Sequence, residues 1–262
     1  MKIQLVGKKA LIGGSTSGIG KAIALQLAAC GAEVTIVGRN KEKLEDTLGL
    51  LDTSKSQRHQ YIMTDYMDLE RYKKDISLYF ERNAVDILVN NTQGPQPGGV
   101  LEKSLYDYQQ AFDLLFQNAV FTTECALKAM RKQGCGRIIN VSSMTVKEPQ
   151  DTLVLSNTMR TALVSWAKSL ANELAKEGIT VNSVMTGYFE TERLTTLMNK
   201  QAEQEGKSFE EIRKGRIASV PVKRLGLPEE YGYLVAFLAS EYASYLTGAA
   251  IPLDGGIART IF

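Results

Sequence analysis

Apolar and polar positions alternate in blocks along this chain. Short β-branched or apolar runs predict strands at Lys9 to Ile12, Glu33 to Val37, Tyr61 to Met63, Asp86 to Asn90, Arg137 to Ser142, Ile179 to Met185 and Ala250 to Leu253. Amphipathic stretches between them predict helices at Gly18 to Ala29, from Lys41, at about Asp68 to Arg82, Ser104 to Lys132 and Leu153 to Lys176. Strands alternating with helices argue for a parallel sheet covered on both faces, with right-handed crossovers. The expected fold is a Rossmann-type, doubly wound α/β/α sandwich in a single domain, residues 1–262. One stretch departs from this compact alternation. Thr191 to Arg224 is polar and helix-prone and carries Gly206 and Gly215. Ligands bind beyond the carboxyl ends of such strands, so residues 191–224 read as a substrate lid, with a plain surface hairpin as the bland alternative.

Composition narrows the class. The chain has 262 residues, 44% of them hydrophobic, enough for a sizeable core. Its 31 basic and 29 acidic residues are interspersed, for a net charge of +2, and no basic stripe suggests a nucleic-acid partner. The first residues lack a long apolar segment and no run approaches a membrane span, so a cytoplasmic protein without a membrane partner is expected. Cys30, Cys125 and Cys135 lack CxxC spacing and read as free, buried thiols; no metal set is apparent. His59, the only histidine, is expected at the surface.

The first strand runs into Gly13-Gly14-Ser15-Thr16-Ser17-Gly18-Ile19-Gly20, in which Gly14, Gly18 and Gly20 form GxxxGxG. Glycine permits a tight turn and a close approach of backbone to a pyrophosphate, and the following helix offers free N–H groups and a partial positive charge. The pattern sits in the strand–turn–helix context that a dinucleotide site requires.

GSTSGIG resembles the glycine motif of the short-chain dehydrogenase/reductases, and further matches follow in order. Asp65 in Thr64-Asp65-Tyr66-Met67-Asp68 resembles the acidic residue beside the adenine. Asn90-Asn91-Thr92-Gln93-Gly94 resembles NNAG, and Gly136 to Ser143 resembles the strand that ends in the catalytic serine. Val181 to Gly187 resembles VNxVxPG, with Thr186 in place of proline. Arg224 to Glu230 and Leu253-Asp254-Gly255-Gly256 resemble the C-terminal signature of bacterial ketoacyl-carrier-protein reductases. The resemblance implies a seven-stranded parallel sheet of order 3-2-1-4-5-6-7 and a homotetramer or homodimer built partly from the long helices. It also implies that a nicotinamide dinucleotide is bound by Gly14, Ser15, Thr16, Ser17, Gly18, Ile19, Gly20, Asp65, Tyr66, Asn91, Arg160 and Gly187.

An acidic residue at the end of the second strand would favour NAD. Gly38 stands there, followed by Arg39, which can make bidentate bonds to a 2′-phosphate. The expected cofactor is NADP(H).

The family's Tyr-x-x-x-Lys pair shares one helix face, the tyrosine donating a proton and the lysine holding the nicotinamide ribose. Counting thirteen residues from Ser143 reaches Ser156, and Arg160 stands at the lysine position. Counting back from Met130 puts Leu115 at the family's asparagine, with Asn118 one turn away as a possible substitute. Ser143, Ser156 and Arg160 are therefore the expected catalytic set. Serine is shorter and less acidic than a phenol, and arginine is a poor proton relay. Tyr188, or Lys147 and Glu148, could supply a proton, although a packing aromatic and a solvated loop pair are the plainer readings. Lys147-Glu148-Pro149 together with Ser156-Asn157 resembles a branch of the family that includes reductases of bacilysin biosynthesis. Two function classes follow: an NADPH-dependent reductase of a small carbonyl or conjugated substrate with a nonstandard proton donor, or a noncatalytic NADP(H)-binding or regulatory protein.

Overall fold

The computed structural model describes residues 2–261. Its sheet has seven parallel strands in the order β3-β2-β1-β4-β5-β6-β7. These are β1 (Lys9–Ile12), β2 (Glu33–Gly38), β3 (Gln60–Met63), β4 (Ile87–Asn90), β5 (Gly136–Ser143), β6 (Ile179–Thr186) and β7 (Ala250–Leu253). Central strands read as continuous apolar runs because both faces are covered; all four residues of β4 are buried.

On one face α1 (Gly18–Ala29) and α9 (Pro228–Ala239) pack together over Ile12, Ile36, Val89 and Val184. Gly232 permits that approach, since a Cβ there would lie 3.0 Å from the Ala22 carbonyl oxygen. On the other face α3 (Leu69–Arg82), α5 (Asn118–Gln133) and α6 (Val154–Leu174) enclose Leu88, Ile138 and Val181. The periodicity missed α9, whose PEEYGYLVAFLA is apolar nearly all round and shows no amphipathic stripe.

The helix expected over Ser104 to Lys132 is three pieces: α4 (Leu105–Phe112), a π-turn at Asp113–Gln117, and α5. The π-turn falls at Leu115, the position that counting assigns to the family's asparagine. His59 is a further correction. It is partly buried; its Nδ1 accepts from the Val34 N–H (3.0 Å) and its Nε2 donates to the Asp52 carbonyl (2.9 Å), tying β2 to a loop.

Residues 192–219 form a helical hairpin, α7 (Glu192–Glu205) and α8 (Phe209–Ser219), closed by a small cluster of Leu194, Met198, Ala202, Ile212 and Leu225. The short helix α2 (Lys41–Gly49) follows β2. Strand register lines up the site. Ser143 pairs with Thr186, and Thr186 with Leu253, so β5, β6 and β7 end level at one edge of the sheet. The strand order reverses between β1 and β4, where a crevice forms.

Candidate active site

A cleft of about 1310 Å³ lies over these carboxyl ends, with the α7–α8 hairpin along one wall. Its floor begins at the glycine turn. Gly14 (φ +52°) and Gly18 (φ +51°) are left-handed, a conformation that strains any residue with a Cβ. The turn is braced from behind. Asn91 Nδ2 donates to the carbonyls of Gly13 (3.0 Å) and Gly14 (3.3 Å), and the Gly14 N–H donates to the Tyr66 hydroxyl (3.1 Å). Burial pushes that phenol well above its ordinary value, so it stays neutral.

One expected cofactor contact is corrected by this geometry. Ser15 is fully buried; its hydroxyl donates to the Ile12 carbonyl and accepts from the Val37 N–H (both 2.9 Å), while its own N–H donates to the Val37 carbonyl. It staples β1 to β2 and has no donor left for a ligand. Tyr66 stays at the floor of the cleft, its ring packed against Tyr72 and its hydroxyl holding the turn.

Asn40, Asp68, Ser104, Thr191 and Ser208 cap the helices that follow them with their side chains. Ser17 makes no such bond to α1, whose first turn holds no acidic residue. Its free N–H groups, with Thr16, Ser17, Gly18, Ile19 and Gly20 lining the cleft, suit a pyrophosphate.

At the end of β2, Gly38 leaves a bare floor: a Cβ there would meet the Thr16 methyl at 2.8 Å. Arg39 stands exposed in the cleft wall, Nη1 4.0 Å from Asp65 Oδ2. Asp65 lies outside the cleft lining, and its carboxylate also accepts from the Met67 N–H. Lys43 lines the cleft in the first turn of α2, a second cation near Arg39 that the sequence reading missed. Its signal is the alternation of basic residues, Arg39, Lys41 and Lys43, just past the strand end.

Ser143, Ser156 and Arg160 come together in the cleft, as do Asn91 and Gly187. Ser143 Oγ accepts from both the N–H (3.2 Å) and the hydroxyl (3.0 Å) of Thr145, so its own proton is free to point outward. Thr145 was another residue the sequence reading missed. Arg160, on α6, donates from Nε to Ser156 Oγ (3.2 Å) and from Nη1 to the Val141 carbonyl (2.5 Å). Burial lowers its pKa to about 10, opposed by the nearby Tyr231 phenol and reinforced by Arg193, and it remains a cation at neutral pH. Thr186, where the family has proline, donates to the Tyr231 hydroxyl (3.1 Å) on α9.

The other candidates separate. Asn118 is buried, donates to the Tyr66 carbonyl (2.9 Å), and lies across a cavity of about 20 Å³ from Arg160, outside the main cleft. Lys147 and Glu148 also lie outside it; Glu148 accepts from the Arg259 and Thr260 N–H groups and holds the chain's end. Tyr188 does line the cleft. Its hydroxyl accepts from Gln150 Nε2 (3.2 Å), and the Arg216 guanidinium lies 4.8 Å from its ring centre. Among the described residues no cluster could hold a metal, and no helix is long and apolar enough to cross a membrane.

The uncapped α1, the glycine floor and the cations beyond β2 fit a nicotinamide dinucleotide laid across the crevice. Residues 14–258 match the family described as enoyl-(acyl carrier protein) reductase. The 3-oxoacyl-[acyl-carrier-protein] reductase FabG of Aquifex aeolicus is 33% identical over 258 residues, 98% of this chain and 100% of that one. L-Sorbose reductase from Gluconobacter frateurii, solved in complex with NADPH and L-sorbose, is 29% identical with a TM-score of 0.92 over 100% of both chains. YwfH, an NADPH-dependent reductase involved in bacilysin biosynthesis, is 28% identical with a TM-score of 0.90, over 97% of this chain and 99% of its own. The match runs from the glycine turn through Ser143 to the Asp254-Gly255-Gly256 segment, and the chain therefore belongs to the short-chain dehydrogenase/reductase family.

Proposed function

We propose that this protein is an NADPH-dependent oxidoreductase that reduces a small carbonyl or conjugated substrate without a phenol at position 156. The observation that carries the reading is the Ser143 hydroxyl, whose two acceptor bonds from Thr145 leave its proton for a substrate oxygen. NADPH, when bound, supplies the hydride to the substrate carbon. Thr16, Ser17, Gly18, Ile19 and Gly20 would hold its pyrophosphate, Arg39 and Lys43 its 2′-phosphate, and Arg160 and Asn91 the nicotinamide half. Ser143 orients the substrate oxygen and donates to it as negative charge develops. Arg160 adds a fixed positive charge there and polarises Ser156 through their hydrogen bond. Ser156 is too short to reach as a tyrosine would, so a water completes the proton path. The hairpin at residues 191–224 acts as the substrate lid. Fully exposed Leu101 and largely exposed Leu105 and Tyr106 support self-association as a homodimer or homotetramer, which light scattering would size.

One observation favours a second reading, a noncatalytic NADP(H)-binding protein: serine and arginine stand where the family's proton-donating pair belongs. NADPH deuterated at nicotinamide C4, offered with a panel of ketones and enones, separates the two. Deuterium on the reduced product carbon supports the reductase. Tight NADPH binding with no transfer to any panel member supports the second reading.

A further inference from the structure

Four guanidinium groups line the cleft, and three of them, Arg160, Arg193 and Arg216, have no carboxylate within 4.0 Å among the described residues. Arg160 spends its bonds on Ser156 and the Val141 carbonyl, and Arg193 donates to the Pro95 carbonyl (2.8 Å). Arg216 donates from Nη2 to Gln201 Oε1 (2.7 Å). Arg39, Arg71, Arg131, Arg213 and Arg224, by contrast, are all ion-paired. The carboxylate whose field reaches Arg216 is Glu205, and its oxygens already accept from Lys207 and Gln201 (both 2.7 Å).

Arg216 carries a second sign. Its Nε is buried and has no hydrogen-bond partner, the kind of orphaned donor that is costly unless a ligand meets it. The residue sits on α8, over the Tyr188 ring, whose hydroxyl is in turn held by Gln150. Gln150 leads into α6 and Tyr188 follows β6, so both belong to the catalytic end of the cleft with Ser143 and Ser156. The hairpin thus brings a cation with an unspent donor to the place where a substrate would meet Ser143.

We propose that the substrate of this site carries a carboxylate, and that Arg216 on the hairpin receives it by a charge-assisted hydrogen bond while Arg160 and Arg193 add to the positive potential of the chamber. This rests on the reductase reading above and names its substrate class: a carbonyl or conjugated compound with an acid group in the same small molecule. An anion on the substrate gives the hairpin a reason to close, because its helix α8 then gains a partner that the free protein lacks.

The test uses paired probes that differ only in charge. The NADPH-loaded protein is titrated with benzoylformate and with methyl benzoylformate, and with levulinate and methyl levulinate, following NADPH fluorescence and heat. At least one acid should bind about tenfold or more tightly than its ester. Arg216→Gln should bring each pair within about twofold, Arg216→Lys should retain part of the preference, and NADPH affinity should stay unchanged in both variants. Equal binding of acids and esters by the wild type, or a preference that survives Arg216→Gln, overturns the proposal. So does absence of binding by both acids. A loss of NADPH affinity in Arg216→Gln assigns the anion to the cofactor's phosphates and overturns it as well. Because the readout is binding, a protein that prefers the acids yet transfers no hydride would refute the reductase reading while leaving the anion site standing.

Discussion

Arg160 Nε and Ser156 Oγ are joined by a 3.2 Å hydrogen bond across one turn of α6, at the two positions that counting from Ser143 assigns to the family's tyrosine and lysine. On the reading proposed above, the spacing survives while the chemistry changes. General acid catalysis is typically worth about 10²–10⁴-fold, and a serine cannot supply it directly. Wild-type protein is therefore expected to reduce simple ketoacyl thioesters poorly. Ser156→Tyr with Arg160→Lys should raise that rate by about a hundredfold, and either change alone should do less, because the two side chains act as a unit. NADPH consumption with an N-acetylcysteamine thioester reads this. Robust wild-type turnover that Ser156→Ala abolishes would mean that Ser156 already does the tyrosine's work.

Arg39 and Lys43 both line the cleft beyond β2. Losing one charge-assisted contact typically costs about 1.5–3 kcal/mol. Arg39→Ala should weaken NADPH roughly tenfold or more, Lys43→Ala by less, and NADH should hardly change in either. Equal losses for both nucleotides, by fluorescence titration, would remove the 2′-phosphate from this corner.

Gly18 has φ +51°, and a Cβ there would lie 3.2 Å from the Thr191 methyl. Gly18→Val should abolish nucleotide binding through steric block, with backbone strain of about 1–2 kcal/mol left in the fold. Circular dichroism should show a folded variant. A folded Gly18→Val protein with unchanged NADPH affinity would contradict the placement of the pyrophosphate.

Glu230 caps α9 and is bridged by Arg224 at 2.6 and 2.7 Å. Those bonds, with the Leu227 N–H, pull its pKa from 4.5 to about 2. The carboxylate binds fewer protons when folded, so its contribution is complete above pH 4.5 and fades as pH falls from there toward 2. The pair is open to solvent, which keeps its contribution small. Glu230→Gln should lower the neutral-pH urea midpoint slightly and flatten the acid side of the stability profile. An unchanged acid limb would show that the pair contributes nothing.

Much of this was legible in the chain. β1, α1 and β7 lie at the residues their patterns predict, and Ser143, Ser156 and Arg160 converge as counting implied. What escaped has physical causes. Helix α9 is apolar on nearly every side beyond its first turn, its exposed side included through Tyr233, so it carries no stripe to read. The π-turn at Asp113–Gln117 needs one extra residue per turn, which no local propensity announces. Ser15 sits inside the glycine motif, yet only tertiary structure shows its hydroxyl turned into the core. Thr145, Gln150 and Arg216 matter through partners distant in sequence or through geometry that spacing does not encode.

The central claim is that Ser143 works on a substrate in a catalytic cleft. The most direct test is steady-state NADPH oxidation, over a panel of ketones, enones and their carboxylated forms, by the wild type and by Ser143→Ala, with NADPH affinity measured alongside. The account predicts turnover of at least one substrate, a fall in kcat of about a hundredfold or more in Ser143→Ala, and unchanged NADPH binding. Wild-type turnover that Ser143→Ala leaves intact would contradict it.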